Sequence, residues 1–449
     1  MSNAERAAGR AVVIGASMAG LLAARVLADH FADVLVLEKD TLPETATPRR
    51  GVAQGRHLHV LLSAGLEIIE AQFPGLVDDL TAAGALLARG GTYRNGGYVL
   101  PPSTSLRVVT ATRPLIEAAV RRRLMQLGNV RLMTGAAVRQ LRATPDNACV
   151  TGVCATGLEG PGVVAADLVV DTTGRGSRAA RWMEELGYAP PADETIAIPV
   201  AYMTRIFRRR PSDLGDNTFE MVMSDRPCHR AGILIAVEGG RWLATLAGYG
   251  AEVPPQDLAG FIAYARSLPA ARLGDLVAGA EPLDDGCPYR FPASLRRRWE
   301  RLARLPEGFL VLGDGICSFN PVFGQGMTVA AQESRALAAA LAGPRETLAR
   351  RFYRDAARVV DRPWAIAAGG DLQHPDAVGR RGSMSGMVSG YLNRVTHAAH
   401  RDPVVATRLH QAMHLMIPPA GLFRPDIVAR VLRDGASAAW LRRPQAARA

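Results

Sequence analysis

The chain has 449 residues, 48% of them hydrophobic and 21% charged. That length has room for two or three domains with a large core, and the balance excludes a disordered chain; every apolar run is broken by a glycine, charge or proline before it could span a membrane. The formal charge of +11 is almost all arginine, with Lys39 the sole lysine. The densest clusters, at 121–123, 208–210 and 296–298, have no interleaved aromatics, which argues against a nucleic-acid partner and leaves a basic surface that attracts anionic cofactors. Cys149, Cys154, Cys228, Cys287 and Cys317 are odd in number and form no C-x-x-C pair, so neither a zinc ribbon nor a disulfide framework is indicated. The opening residues lack the order of a signal peptide, and with reduced thiols they lead to the expectation of a cytoplasmic protein without a transmembrane segment.

In chain order, the first sixty residues read strand, glycine turn, helix, strand. Residues 11–15 are a short apolar run ending in glycine. Ala19, Leu22, Ala23, Val26 and Leu27 then recur at helical spacing, and 34–38 is a buried strand that ends in an acid. One β-α-β unit favours a parallel sheet with helices packed on it. Residues 82–110, with "GGTYRNGG", read as loop and antiparallel strand, and 113–128 as an amphipathic helix ending at Gly128. Short strands follow near 130–140 and 148–156, then a strand that runs into a glycine loop over 162–177. From 195 to 290 the residues alternate and carry turn signals, the texture of a separate antiparallel sheet. Residues 308–315 return to buried parallel-strand character. Beyond about 330 the pattern is helical, with expected breaks at Pro363, Pro375, Pro403, Pro418 and Pro425, and a core face of Val405, Leu409, Ala412, Met413 and Met416 on a helix over 404–417.

Three loops carry chemistry. "GASMAG" at 15–20 is a near match to the dinucleotide fingerprint G-x-G-x-x-G between strand and helix. Gly15 permits the tight turn and Gly20 a close helix–strand approach, so the helix amides face a pyrophosphate; Ser17 replaces the middle glycine and can donate to phosphate. Glu38 ends the next strand, where an acid holds ribose hydroxyls and disfavours a 2′-phosphate. "DTTGRGSRAAR" at 171–181 is a basic glycine turn, a weak signal that a solvated loop would also explain. "VLGDGICSFNPVFGQGMTVAAQE" at 311–333 sets Asp314 at a strand end, turns at Asn320-Pro321, and is expected to expose backbone amides of Gly324, Gln325 and Gly326 at a helix start. A carboxylate for a polyol and a nest for an anion together suit a flavin, with its ribityl chain and its N1–C2=O edge. His57 and His59 would share a face on a strand, but no third metal ligand is evident, so no metal is expected.

On these residues the chain resembles the single-component FAD-dependent monooxygenases of the para-hydroxybenzoate hydroxylase fold. "GDGICSFNPVFGQGMTVAAQE" is similar to that family's G-D-x-x-H-x-x-x-P-x-x-G-Q-G-x-N pattern, "GASMAG" with Glu38 to its FAD fingerprint, and "ATRPLIEAAVRRRL" to its arginine-led helix. "RRGVAQGRHLHVLLSAG" and "LVVDTTGRGSRAARWMEELG" carry a closer likeness to the bacterial subgroup that contains the lasalocid- and monensin-type polyether epoxidases. Thr173, Cys317 and Thr328 depart from the pattern, at its Asp-Gly aspartate, its histidine and its asparagine. The resemblance implies FAD contacts from Gly15, Ser17, Met18, Ala19, Gly20, Glu38, Lys39, Arg56, His57, Arg113, Val138, Asp314, Gly324, Gln325, Gly326 and Met327, with Pro321, Gly324 and Gly326 nearest the ring. It implies tightly bound, non-covalent FAD, NAD(P)H as transient reductant, and a flavin C4a-hydroperoxide that oxygenates substrate.

The fold class expected is α/β, α+β overall. A Rossmann-like FAD-binding domain is expected from 1–82, 108–190 and 291–345, an inserted antiparallel-sheet substrate domain from 83–107 and 191–290, and a helical region from 346–449. No base for deprotonating a phenol stands out in 195–290, which favours epoxidation of an apolar alkene of polyketide or terpenoid type, its carrier linkage left open. An aromatic hydroxylase and a geranylgeranyl-reductase-like flavoenzyme are the alternatives within the fold, and a non-catalytic flavin-binding protein is the alternative outside catalysis. No W-x-W-x-I-P segment supports a halogenase.

Overall fold

The computed structural model describes residues 7–49, 51–104, 106–158, 162–223, 229–380 and 385–441. The chain divides into two units, one of residues 1–85, 111–197 and 292–367, the other of 86–110, 198–291 and 368–449. The first unit holds a five-stranded parallel sheet in the order Phe309–Val311, Leu168–Asp171, Ala7–Ile14, Phe31–Glu38, Val130–Thr134. These strands are near-continuous Val, Leu and Ile because side chains on both faces of the sheet are buried. Val12, Val13, Val34, Val36, Val169 and Val170 are fully buried. Helices Met18–Leu27 and Gly326–Leu341 pack on one another beneath the two glycine loops, with Ser63–Gln72 against the latter. A three-stranded antiparallel sheet, Val163–Ala165, Val150–Thr156 and Ala137–Ala143, completes this unit.

In the second unit Asp193–Arg208 pairs antiparallel with Arg241–Tyr249, that strand with Arg230–Val237, and that one with Phe219–Val222. Phe219–Val222 then pairs parallel with Gly90–Arg94, which turns back through Asn95 and Gly96, both at positive φ, into Gly97–Tyr98. The sheet's alternation separates two faces. Met203, Phe207, Trp242, Leu246 and Leu234 pack on Phe261, Leu273 and Val277 of helices Leu258–Arg266 and Ala271–Gly279. A second cluster joins Val395, Ala398, Val405, Leu409, Ile427 and Val431 of the last helices.

The α/β class with a mainly antiparallel second sheet stands as expected. Several boundaries differ. Pro363 sits inside the continuous helix Leu348–Asp371 rather than ending it, since proline removes one amide bond and the buried Phe352, Tyr353, Val360 and Trp364 hold the rest of the face in register. The arginine-led helix ends at Leu124, before Gly128, and the tail helix spans Pro403–Met413, with Val405, Leu409 and Ala412 buried. His57 and His59 lie in a loop after the short turn Ala53–Arg56, not on a strand. Cys149, Cys154, Cys287 and Cys317 are free thiols; Cys228 lies outside the described residues. No helix among the described residues is long and apolar enough to cross a membrane.

Candidate functional site

Strand Ala7–Ile14 ends at Gly15, whose φ of 104° lies where side chains are strained. A Cβ on Gly20 would lie 1.9 Å from the Gly15 carbonyl oxygen, so helix Met18–Leu27 approaches the strand this closely only with glycine there. Ser17 is the N-cap yet makes no capping bond to the helix. Its hydroxyl instead donates to Glu117 Oε2 at 2.9 Å and accepts from Arg113 Nη2 at 2.9 Å. Serine in the middle fingerprint position thus ties the turn to the arginine-led helix, 100 residues away in sequence. Gly15, Ser17 and Ala19 keep accessible surface while Ala16, Met18 and Gly20 are buried, which leaves one side of the turn open.

Glu38 is buried at the end of its strand and braces the turn. It accepts the Ala16 amide at 2.8 Å and the Asp40 amide at 3.0 Å, and lies 3.2 Å from Arg49 Nη1. Arg49 also meets Asp40 at 3.0 Å and Glu117 at 3.1 Å, and the three carboxylates raise its already high pKa against the opposing effect of burial. A carboxylate offers about four lone-pair positions, so three engagements leave one for a ribose hydroxyl. Glu38→Ala is therefore expected to lower the unfolding free energy of the flavin-free protein by about 2–3 kcal/mol, because a buried and a half-buried amide lose their acceptor. Urea unfolding of apoprotein checks this, and an unchanged midpoint would assign Glu38 to ligand binding alone. Lys39 and Arg56 are exposed, and Val138 is half-buried on strand Ala137–Ala143.

Arg113 starts its helix after the N-cap Thr112, with Pro114 behind it in the first turn. Its guanidinium is embedded, with Nε lacking a hydrogen-bond partner and its pKa pulled down by burial against Glu117 and Asp314. Burial also pushes His57 down to about 4 and His59 to about 3, the latter with help from Arg113. Both imidazoles are neutral at physiological pH. His59 Nδ1 lies 3.0 Å from the His57 carbonyl oxygen, which can only accept, so Nδ1 carries the proton and Nε2 is left as an acceptor. Asp314 keeps accessible surface although protein surrounds it. Burial raises its pKa, and Arg113 and Arg175 oppose that rise.

The remaining loops hold Asp314 in place. Gly313 has φ 78°, and a Cβ there would lie 2.8 Å from Ala19 Cβ, so this turn abuts the fingerprint helix. Asp171, fully buried, accepts the Thr173 amide at 2.9 Å, the Thr173 hydroxyl at 2.6 Å and the Ser177 hydroxyl at 2.5 Å. Thr173 thus serves as a local donor that shapes its glycine turn, and the acid of this loop is Asp171. Arg175 donates to the Ala293 carbonyl at 2.7 Å, and a Cβ on the neighbouring Gly174 would lie 3.7 Å from Asp314 Cβ, so this turn stands beside Asp314. Asn320 accepts the Val322 amide at 3.1 Å, and Gly324 closes the turn at φ 62°. Here the expected nest is narrower than the sequence suggests: the Gly324 amide donates to the Pro321 carbonyl at 2.9 Å. Helix Gly326–Leu341 supplies the rest, since its first amides have no intrahelical acceptor. Pro321 and Gly326 are exposed, Met327 is buried, and Gln325 Oε1 and Thr328 Oγ1 are buried without a partner.

The first unit therefore brings together Gly15, Ser17, Glu38, Arg113 and Asp314 around their shared contacts. Arg49, Glu117 and His59 belong to the same network, and none of the three was expected among the FAD contacts. Only the spacing of Glu117 one turn after Arg113 was available to find it. No group of three potential metal ligands occurs among the described residues.

No family model matches the sequence. Protein Rv3254 of Mycobacterium tuberculosis is 35% identical over 424 residues, covering 88% of this chain and 87% of that protein. Among solved structures, the flavin-dependent brominase Bmp2 is 14% identical and aligns over 96% of this chain and 100% of its own with a TM-score of 0.64. The p-nitrophenol 4-monooxygenase PnpA from Pseudomonas putida DLL-E4 is 16% identical over 90% of this chain and 98% of its own, at 0.63. The Diels-Alderase PyrE3 of the pyrroindomycin pathway is 16% identical over 90% of this chain and 80% of its own, at 0.61. These likenesses confirm the fold, and the extended identity makes the chain a member of the family of protein Rv3254.

Proposed function

We propose that the first unit binds FAD non-covalently and that the protein is an NAD(P)H- and oxygen-dependent monooxygenase that epoxidises an apolar alkene of polyketide or terpenoid type. One observation carries the cofactor reading. Deeply embedded polar groups, Ser17, Arg113 and Asp314, keep accessible surface next to a helix whose opening amides lack intrahelical acceptors, and Arg113 Nε, Gln325 Oε1 and Thr328 Oγ1 have no partner. Unmet donors and acceptors of this kind call for a polar ligand. The donor set suits FAD: Gly15 to Gly20 and Arg113 for the pyrophosphate, Glu38 for the ribose, Asp314 for the ribityl chain, and the amides after Gly324 for the N1–C2=O edge. Bound there, the flavin would supply hydride acceptance from NAD(P)H and activation of oxygen. The protein's own task is to orient the ring, keep water from it and leave the neutral His57 and His59 without an acidic imidazolium proton to donate.

The overall change balances as alkene plus O2 plus NAD(P)H plus a proton, giving epoxide, water and NAD(P)+. The second unit supports the alkene. The sheet face turned away from helices Leu258–Arg266 and Ala271–Gly279 carries Tyr202, Thr204, Ile206, Ile233, Ile235, Leu243, Thr245 and Ala247, with no carboxylate among them. Thr204 and Thr245 satisfy one another at 2.8 Å. An alkene needs no base, whereas a phenol benefits from one. Purified protein is expected to carry flavin and to oxidise NAD(P)H faster with substrate, with oxygen-18 gas labelling an epoxide. Label entering a phenol points to the aromatic hydroxylase, and alkene reduction without oxygen uptake points to the reductase. Turnover of neither kind ends the monooxygenase reading.

A further inference from the structure

Helix Gly326–Leu341 carries an acid that the cofactor reading does not use. Glu333 has no exposed surface. Its Oε2 accepts the Gly313 amide at 2.6 Å, and its Oε1 is buried with no partner. Among the described residues no cation offsets it, and the charged group acting on it is another acid, Asp314, one residue beyond its own hydrogen-bond donor. The other titratable groups nearby do not help. Cys317 and Tyr353 are buried, burial holds each in its neutral form, and the Tyr353 hydroxyl accepts the Val311 amide at 2.9 Å. The charged side chains on the two packed helices are engaged elsewhere. Arg25 bonds the Gln72 carbonyl and Asp29, Glu70 accepts the Gly75 and Val77 amides, and Glu67 is exposed.

A carboxylate in this position would be a buried charge with one hydrogen bond and a like charge beside it, an arrangement that strongly favours the protonated form. We infer that Glu333 is held as a neutral carboxylic acid and is the positioning residue that fixes the Gly313–Asp314 turn for the cofactor. Oε2 is then the carbonyl oxygen that receives the Gly313 amide, and Oε1 bears the proton. The link runs from the second turn of the helix whose first turn opens the nest back to the turn that presents Asp314. Both halves of the 311–333 loop are thereby set in one register. Neutrality matters because an ionised Glu333 would repel Asp314 from the position in which it accepts hydroxyls. Burial, and after it the charge of Asp314, push Glu333 up to about 8 against the opposing effect of the Gly313 amide bond.

The part of this inference that concerns the cofactor rests on the FAD reading; the protonation state does not, and one experiment separates them. Urea unfolding and flavin retention are measured on the purified protein and on E333Q between about pH 5 and pH 9. A carboxyl whose folded pKa exceeds its unfolded value weakens the fold as pH rises from the unfolded value toward the folded one. The wild-type midpoint is therefore expected to match that of E333Q near pH 5 and to fall below it by about pH 8. The wild-type flavin dissociation constant should rise above about pH 8 by up to roughly tenfold per pH unit, and that of E333Q should not. Glutamine preserves the acceptor for Gly313, so E333Q should keep flavin at neutral pH, while E333A, which lacks it, should lose flavin at every pH. Equal pH slopes in wild type and E333Q would overturn the inference, as would E333Q losing flavin like E333A. A slope difference in protein that never holds flavin supports the neutral acid and overturns the FAD reading.

Discussion

Gly20→Ala is expected to destabilise the protein by about 3 kcal/mol or more, measured as a lower urea midpoint for the first unit's transition. The added Cβ would meet the Gly15 carbonyl oxygen at 1.9 Å and Thr172 Oγ1 at 2.7 Å. The first contact is backbone against backbone, so no rotamer change relieves it. Helix Met18–Leu27 would have to move off the strand, and Leu21, Leu22, Ala23 and Leu27, all fully buried on it, would lose their packing. Thr172 would also be displaced from its bond to the Ile14 carbonyl at 2.8 Å, which staples neighbouring strands. Flavin should be absent from whatever folds, because Ser17 and its bonds to Glu117 and Arg113 would shift with the helix. A loss below about 0.5 kcal/mol, the level of an ordinary surface change, would mean that the close approach does not hold the fold.

The second large effect is expected at Asp314. Asp314→Ala should yield protein that retains no flavin through purification, a loss of about 3 kcal/mol in binding or more than roughly a hundredfold in dissociation constant. The magnitude follows from removing a charged acceptor in a site whose low polarity strengthens its hydrogen bonds. Unlike Gly20→Ala, this change should leave the apoprotein close to wild-type stability. Among the described residues no hydrogen bond to Asp314 that holds the fold is found, and burial works against its charge while Arg113 and Arg175 favour it. Asp314→Asn should fall between the two, since an amide oxygen still accepts but without charge. Flavin absorbance after gel filtration, set beside urea unfolding of the same samples, separates the effects. Full flavin occupancy in the alanine variant would remove Asp314 from the cofactor site.

Parts of this were legible in the sequence because they are local. Gly15 and Gly20 mark a turn and a close approach whose geometry is set within six residues, and Glu38 ends a strand whose apolar run is continuous. The error at the Gly324 nest has the opposite origin. Glycines announce backbone freedom, but whether an amide is left open depends on whether a carbonyl three residues back turns in to meet it, as Pro321 does. His57 and His59 show the same limit: on a strand their alternation would put them on one face, whereas the loop turns one ring onto the other's carbonyl.

The sequence by itself determined the fold class, the two glycine turns and the acids that end their strands, since periodicity and turn chemistry act over a few residues. Only the tertiary structure decided what those groups do electrically. Ser17 bonds Glu117, Arg49 joins Glu38 to Asp40 and Glu117, and Glu333 meets Gly313 two turns into a helix. Burial and the charge of distant neighbours set whether a carboxyl keeps its proton, and neither is written in the residues adjacent to it.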